Sequence, residues 1–222
     1  HVEFVNLLKN ENIVFKNYSL ESYGLDQIFL SYKLTAHQNK DKTILIGFLL
    51  EDLDRSVFSK REYEKASFIL QNKNFQLSNV PINEKKSSGL NIDFYLLRFF
   101  QNFYNLIVND FDPRKSKCKI SQKKDLFIFF INEIEKLSLV HDQKIIITTY
   151  NLKEDLINQP TWRYKFIRDY LKKKKIIHID AYKILKEKSI NNNEKIKSYF
   201  GKDAHNNELS FSYIFEKIKK EL

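Results

Sequence analysis

The chain has 222 residues, 42% hydrophobic and 14% aromatic, with four glycines, three prolines and one cysteine. That length supports one domain with a substantial core rather than two. The composition excludes a disordered or collagen-like chain, an intrachain disulfide and a cysteine-built zinc site. The formal net charge is +10, but 32 of the 38 basic residues are lysine. Nucleic-acid readers lean on the planar fork of arginine, so the charge reads first as solubility and argues against a nucleic-acid partner.

No apolar run approaches the ~20 residues that cross a bilayer. The longest, Ile44 to Leu50, is interrupted by Gly47. The single cysteine fits the cytoplasm and the cell envelope alike. The chain starts at His1, which leaves room for a segment upstream, and it contains no methionine.

Ile13 and Phe15 alternate with polar neighbours and predict a first strand over Asn12 to Asn17. Gly24 precedes a helical stretch, Leu25 to Ala36, with Leu25, Ile28, Phe29 and Tyr32 at spacings of three and four. Thr43 to Leu50 is a near-continuous apolar run, the pattern of a strand buried on both faces of a parallel sheet. Phe68 to Leu70 and Phe75 to Leu77 flank a polar turn and predict a hairpin, within an excursion over residues 66–90. Ile92 to Ile107 reads as an aromatic helix, and Asp112-Pro113 breaks the chain.

A helix capped by Ser121 is expected to run to about Leu137, with Phe127, Phe130, Ile131 and Ile134 on one stripe. Lys144 to Tyr150 is a second buried-type strand. Pro160 and Thr161 open a helix whose end, Lys172 to Lys175, suits the macrodipole. Ile176 to Asp180 is the next strand. Asn206 or Asn207 caps a last helix with Ile214, Phe215, Ile218 and Leu222 on its stripe. Alternating strands and helices predict one α/β domain over residues 1–222. Its expected form is a three-layer α/β/α sandwich with a mostly parallel, flavodoxin-like sheet and a small hairpin insertion.

Chemistry in such sheets gathers at the carboxyl ends of the strands, and three segments qualify: residues 18–24, 51–55 and 200–206. The first lies within Asn17 to Gln27, Asn-Tyr-Ser-Leu-Glu-Ser-Tyr-Gly-Leu-Asp-Gln. A small-residue turn between strand and helix can offer backbone N–H groups to an anion, or be an ordinary turn. The second is Glu51-Asp52-Leu-Asp54-Arg55, a polar cluster after a strand or simply an acidic helix start capped by Asp52 or Asp54. The third is Asp203-Ala-His205, where a carboxylate can orient an imidazole, or where both residues cap the last helix. His37 and His141 read as surface residues, His178 as a packed strand residue and Cys118 as a bystander thiol.

Together the three segments resemble the SGNH (GDSL-type) hydrolase family over about residues 12–222. Asn17 to Gln27 is similar to its second block and Gly47 to Asp52 to its third. Asp203 and His205 are similar to the Asp and His that precede its last helix. The resemblance implies a serine ester hydrolase acting on a carbohydrate or lipid ester, with no metal or organic cofactor. His205 would be the general base and Asp203 its orienting partner. Backbone N–H groups near Ser22 and Gly24 would help hold the oxyanion, and Glu51, Asp52 and Arg55 would pair to shape the rim.

Three departures stand against it. The Gly-Asp-Ser block is absent, so its strand and nucleophile are expected upstream of His1. Glu51 takes the place of an oxyanion Asn, and a carboxylate cannot donate. The last pair is Asp-x-His rather than Asp-x-x-His. The alternatives are a non-catalytic module of the same fold that binds a glycan or a protein, and a basic α/β domain that binds nucleic acid. Oligomeric state is not legible.

Overall fold

The computed structural model describes residues 2–19, 23–40, 42–57, 65–71, 74–80, 120–192 and 195–222. The expected helix over 92–107, Asp112-Pro113, Cys118 and Ser22 lie outside them.

The helices, in chain order, are α1 (Val2–Asn10), α2 (Leu25–Thr35), α3 (Asp52–Arg55), α4 (Ile120–Val140), α5 (Lys153–Ile157), α6 (Trp162–Lys174), α7 (Ala181–Asn191) and α8 (Glu208–Lys219). The strands are β1 (Thr43–Leu49), β2 (Ser67–Gln71), β3 (Asn74–Ser78), β4 (Lys144–Tyr150) and β5 (Ile177–Asp180). β1, β4 and β5 form a parallel sheet in the order β1-β4-β5. β2 and β3 form a separate antiparallel hairpin.

Side chains alternate across a strand, and the two faces of β4 supply two cores. Ile147 faces one, with Leu25 and Phe29 of α2, Phe127 and Phe130 of α4, and Ile167 and Leu171 of α6. Ile146 faces the other, with Ile184 of α7, Ile214 and Ile218 of α8, and Phe4 of α1 against it. The fold is therefore an α/β/α sandwich with a small hairpin beside it. Each fully buried Phe contributes about 2 kcal/mol, and Phe29, Phe68, Phe129 and Phe130 pack ring on ring where the hairpin meets α2 and α4.

Several elements differ from the sequence expectation. Asn12 to Asn17 is not a strand. Asn12 turns left-handed at φ 56° to end α1, and the segment after it pairs with no described strand. Val14 there is 99% exposed. Ser121 lies inside α4 rather than capping it, because the helix already includes Ile120. β1 is less buried than expected, since β4 takes the centre of the three strands and Gly47 of β1 is exposed. α5 and α7 were not expected. Asp180 both ends β5 and caps α7, accepting from Lys183 N–H at 3.2 Å.

Thr161 caps α6 as its sequence implies, and Lys175 closes it in a left-handed conformation. His37 is exposed and His141 partly so. His178 packs with its Nε2 2.8 Å from Thr149 Oγ1. Burial lowers its pKa, against the opposing charge of Asp180. Among the described residues no helix is long and apolar enough to cross a membrane.

Candidate functional site

Parallel strands bring their carboxyl ends to one edge. Leu50 N–H donates to Tyr150 C=O at 3.1 Å. This carries the Leu49↔Tyr150 register one step on, so Asn151 lies opposite Leu50.

The first and second segments meet directly. Gly24 is the N-cap of α2. A Cβ there would lie 2.6 Å from Asp26 Oδ1 and 3.1 Å from both the carbonyl carbon and the Cβ of Arg55, so only glycine lets the chain pass so close to α3. Asp26 N–H donates to Ser56 Oγ at 3.3 Å. Gly24 N–H donates to Gln27 Oε1 at 3.1 Å. That N–H is committed within the turn.

Asp52 and Arg55 pair as expected, at 2.7 Å. Asp52 Oδ2 also accepts from Leu49 N–H at 2.8 Å, so this buried carboxylate clamps the end of β1 and is not a helix cap. Glu51 does not join them. It is the N-cap residue of α3 but makes no side-chain capping bond. Its charge acts instead on Asp155, whose carboxyl is raised by burial above all and by Glu51 in addition, while Leu152 N–H and Arg163 oppose.

Three buried ion pairs, two of them sharing Asp54, brace this edge. Asp54, 4% exposed, meets Lys123, 1% exposed, at 2.7 Å, and also meets Arg163. Lys65 Nζ lies 2.7 Å from Asp26 Oδ2 and 2.8 Å from Arg55 C=O. Burial outweighs Lys65 and raises Asp26 to about 6.

The third segment is a tight loop closed by a Phe200↔Asn206 bridge. Gly201 N–H donates to His205 C=O at 2.9 Å, and Ala204 is left-handed at φ 64°. Asp203 Oδ2 lies 3.3 Å from His205 Nδ1, and Asp203 Oδ1 accepts from His205 N–H at 3.2 Å. Both side chains are exposed, 73% and 52%. Neither caps α8. Asn207 does, accepting from Ser210 N–H at 3.2 Å. Lys153 N–H donates to Ala204 C=O at 3.2 Å, which ties the loop to the β4 carboxyl end.

His205 Nδ1 also lies 3.0 Å from the backbone C=O of Asp203, closer than the carboxylate, and Nε2 makes no hydrogen bond among the described residues. Among the described residues no serine hydroxyl bonds to His205, and no group of three or more His, Cys, Asp or Glu could hold a metal ion.

Asn151, Asp155 and Arg163 were not anticipated, nor was a role for Asp26 or Lys65. Asn151 had a signal, since it directly follows a buried strand of a parallel sheet. Lys65 had none, standing 39 residues from its partner Asp26.

No protein-family model, no curated protein and no solved structure matches the chain.

Proposed function

We propose that the chain belongs to an ester hydrolase of the SGNH type, acting on an ester of a carbohydrate or a lipid. One observation carries the reading: Asp203 Oδ2 sits 3.3 Å from His205 Nδ1, in a loop bonded to the carboxyl edge of a parallel sheet. His205 Nε2 takes the proton of a serine hydroxyl as that oxygen attacks the ester carbonyl, then gives it to the departing alkoxide. Asp203 fixes the ring and stabilises its charged form. The serine comes from outside the described residues.

Glu51 favours a second reading. It stands where the resemblance expects an amide donor, and an ionised carboxylate cannot donate. A module of the same fold that binds a glycan or a protein partner without catalysis would tolerate it.

Hydrolysis of a short p-nitrophenyl ester by the full-length gene product, beside His205→Ala, separates the two. The hydrolase reading expects turnover that falls to background in the variant. Equal background rates in both proteins reject it in favour of the binding module.

A further inference from the structure

We infer that the groove between α4 and α6 docks an acidic amphipathic segment of a partner protein; the inference uses none of the residues of the hydrolase reading. Trp162, Phe166 and Tyr170 recur every four residues on α6 and form one ridge of that helix. Lys165, Asp169 and Lys173 form the adjacent ridge. With Lys124 of α4 they line a shallow groove of about 460 Å³.

The rings are anchored from behind. Phe127 meets Phe166 at 5.6 Å and Tyr170 at 5.8 Å, edge-on in both cases. Tyr170 OH donates to Asn132 Oδ1 at 3.0 Å. All three rings of the ridge pack against the core and keep part of their surface open. Aromatic side chains fixed in advance lose little entropy when a partner covers them, and Trp and Tyr anchor interfaces for that reason.

Charge selects the partner. Asp169 already holds Arg168 at 2.9 Å. Among the described residues Lys124, Lys165 and Lys173 pair with no carboxylate. The same two helices pair their lysines elsewhere, Lys174 with Glu135 at 2.7 Å and Lys136 with Glu133. Three unpaired ammonium groups around an apolar floor complement carboxylates. Lys124 Nζ lies 5.8 Å from the Trp162 ring centre and 5.3 Å from that of Phe166, and the Arg163 guanidinium lies 5.3 Å from Trp162. Cations against the ring faces leave little room for a nucleobase to stack, whereas carboxylates meet those cations directly. Lys165 and Lys173 are eight residues apart, about 12 Å along the helix axis. A partner helix of more than two turns, with carboxylates at that spacing and leucines between them, meets both ridges.

Trp162 is the only tryptophan of the chain, so its emission reads the groove. The test titrates the full-length gene product with a synthetic peptide of two Glu-Leu-Ala-Glu-Leu-Leu-Ala repeats. The same peptide with Lys in place of Glu, and oligothymidylate, run beside it. The acidic peptide is expected to give a saturable blue shift that is absent in Trp162→Phe and weakens with added salt. The other two probes are expected to give none. Lys165 and Lys173 are exposed, so Lys165→Glu combined with Lys173→Glu should keep the urea midpoint while weakening the peptide roughly tenfold or more. No saturable shift, an equal response to both peptides, or unchanged affinity in the double variant overturns the inference. A response to oligothymidylate instead makes the groove a single-strand site and overturns it. A shift that grows with protein concentration alone gives the groove to a second copy, and Trp162 emission that iodide cannot quench in the free protein shows the chain itself covering it; either result also overturns the inference.

Discussion

Replacing Asp54 by Asn removes a negative charge that Lys123 and Arg163 share. Asp54 and Lys123 are 4% and 1% exposed and 2.7 Å apart, and Arg163 is 11% exposed. At an effective dielectric of about 20, two unit charges at that distance attract by about 6 kcal/mol. Desolvation of both ions offsets much of this in the intact pair. Breaking such a pair from one side still costs about 3–5 kcal/mol, because the surviving ion loses a close opposite charge in a buried setting. Asp54 contacts two cations, so Asp54→Asn should cost about 3 kcal/mol, a large share of the 5–15 kcal/mol typical of a domain. Urea unfolding at neutral pH followed by circular dichroism reads it as a fall in midpoint at unchanged slope. The triple variant Asp54→Leu, Lys123→Met, Arg163→Met removes all three charges and should recover most of the loss. A cost below about 1 kcal/mol for Asp54→Asn would refute the reasoning, since the group would then behave like an exposed pair.

Two further outcomes follow from the same edge. Asp26 binds its proton more tightly folded, at about 6, than at its ordinary 3.8. Its contribution to stability is therefore full below pH ~4 and lost as pH rises through about 6. Relative to wild type, Asp26→Asn should gain up to about 3 kcal/mol between pH 4 and pH 7, and urea midpoints across that range that show a constant gap would refute it. A Cβ on Gly201 would sit 2.9 Å from Asp203 Oδ1 and 3.9 Å from His205 C=O. The exposed carboxylate can swing away, so Gly201→Ala should change the melting temperature little while lowering any His205-dependent turnover about tenfold or more. Unchanged turnover would show that Asp203 does not orient the ring.

The sandwich was legible where residue types leave one solution. Ile145, Ile146 and Ile147 in succession cannot all face one side of a helix, and they fill both faces of the sheet. Where the pattern was local but pairing is not, it misled. Ile13 and Phe15 do alternate with exposed neighbours, yet a strand needs a partner edge, and alternation carries no information about one. Asp180 hid α7 because one residue both closes β5 and caps the next helix. The Asp203–His205 pair was readable because two residues of separation place both side chains in one loop. The cations on Asp26 and Asp54 were not, because a lysine destined for burial looks in sequence like any surface lysine.

How charge is distributed at the carboxyl edge supports a site over a mere scaffold. Asp26, Asp52 and Asp54 each hold a cation at the edge, from Lys65, Arg55, and Lys123 with Arg163. Those pairs fix the Gly24 turn against α3 and α3 against the end of β1. Glu51 and Asn151, which follow β1 and β4, and His205, in a loop tied to Lys153, make no comparable commitment among the described residues: Glu51 makes no capping bond, the Asn151 amide has no hydrogen bond, and His205 bonds within its own loop. A purely structural edge would gain stability by pairing or replacing them. Rigid surroundings with a few uncommitted polar groups are what a preorganised binding or catalytic site requires. The same arrangement explains why Glu51 and Asp155 can share the edge without disrupting it, since Arg163 and Leu152 N–H offset the repulsion that Glu51 adds to Asp155.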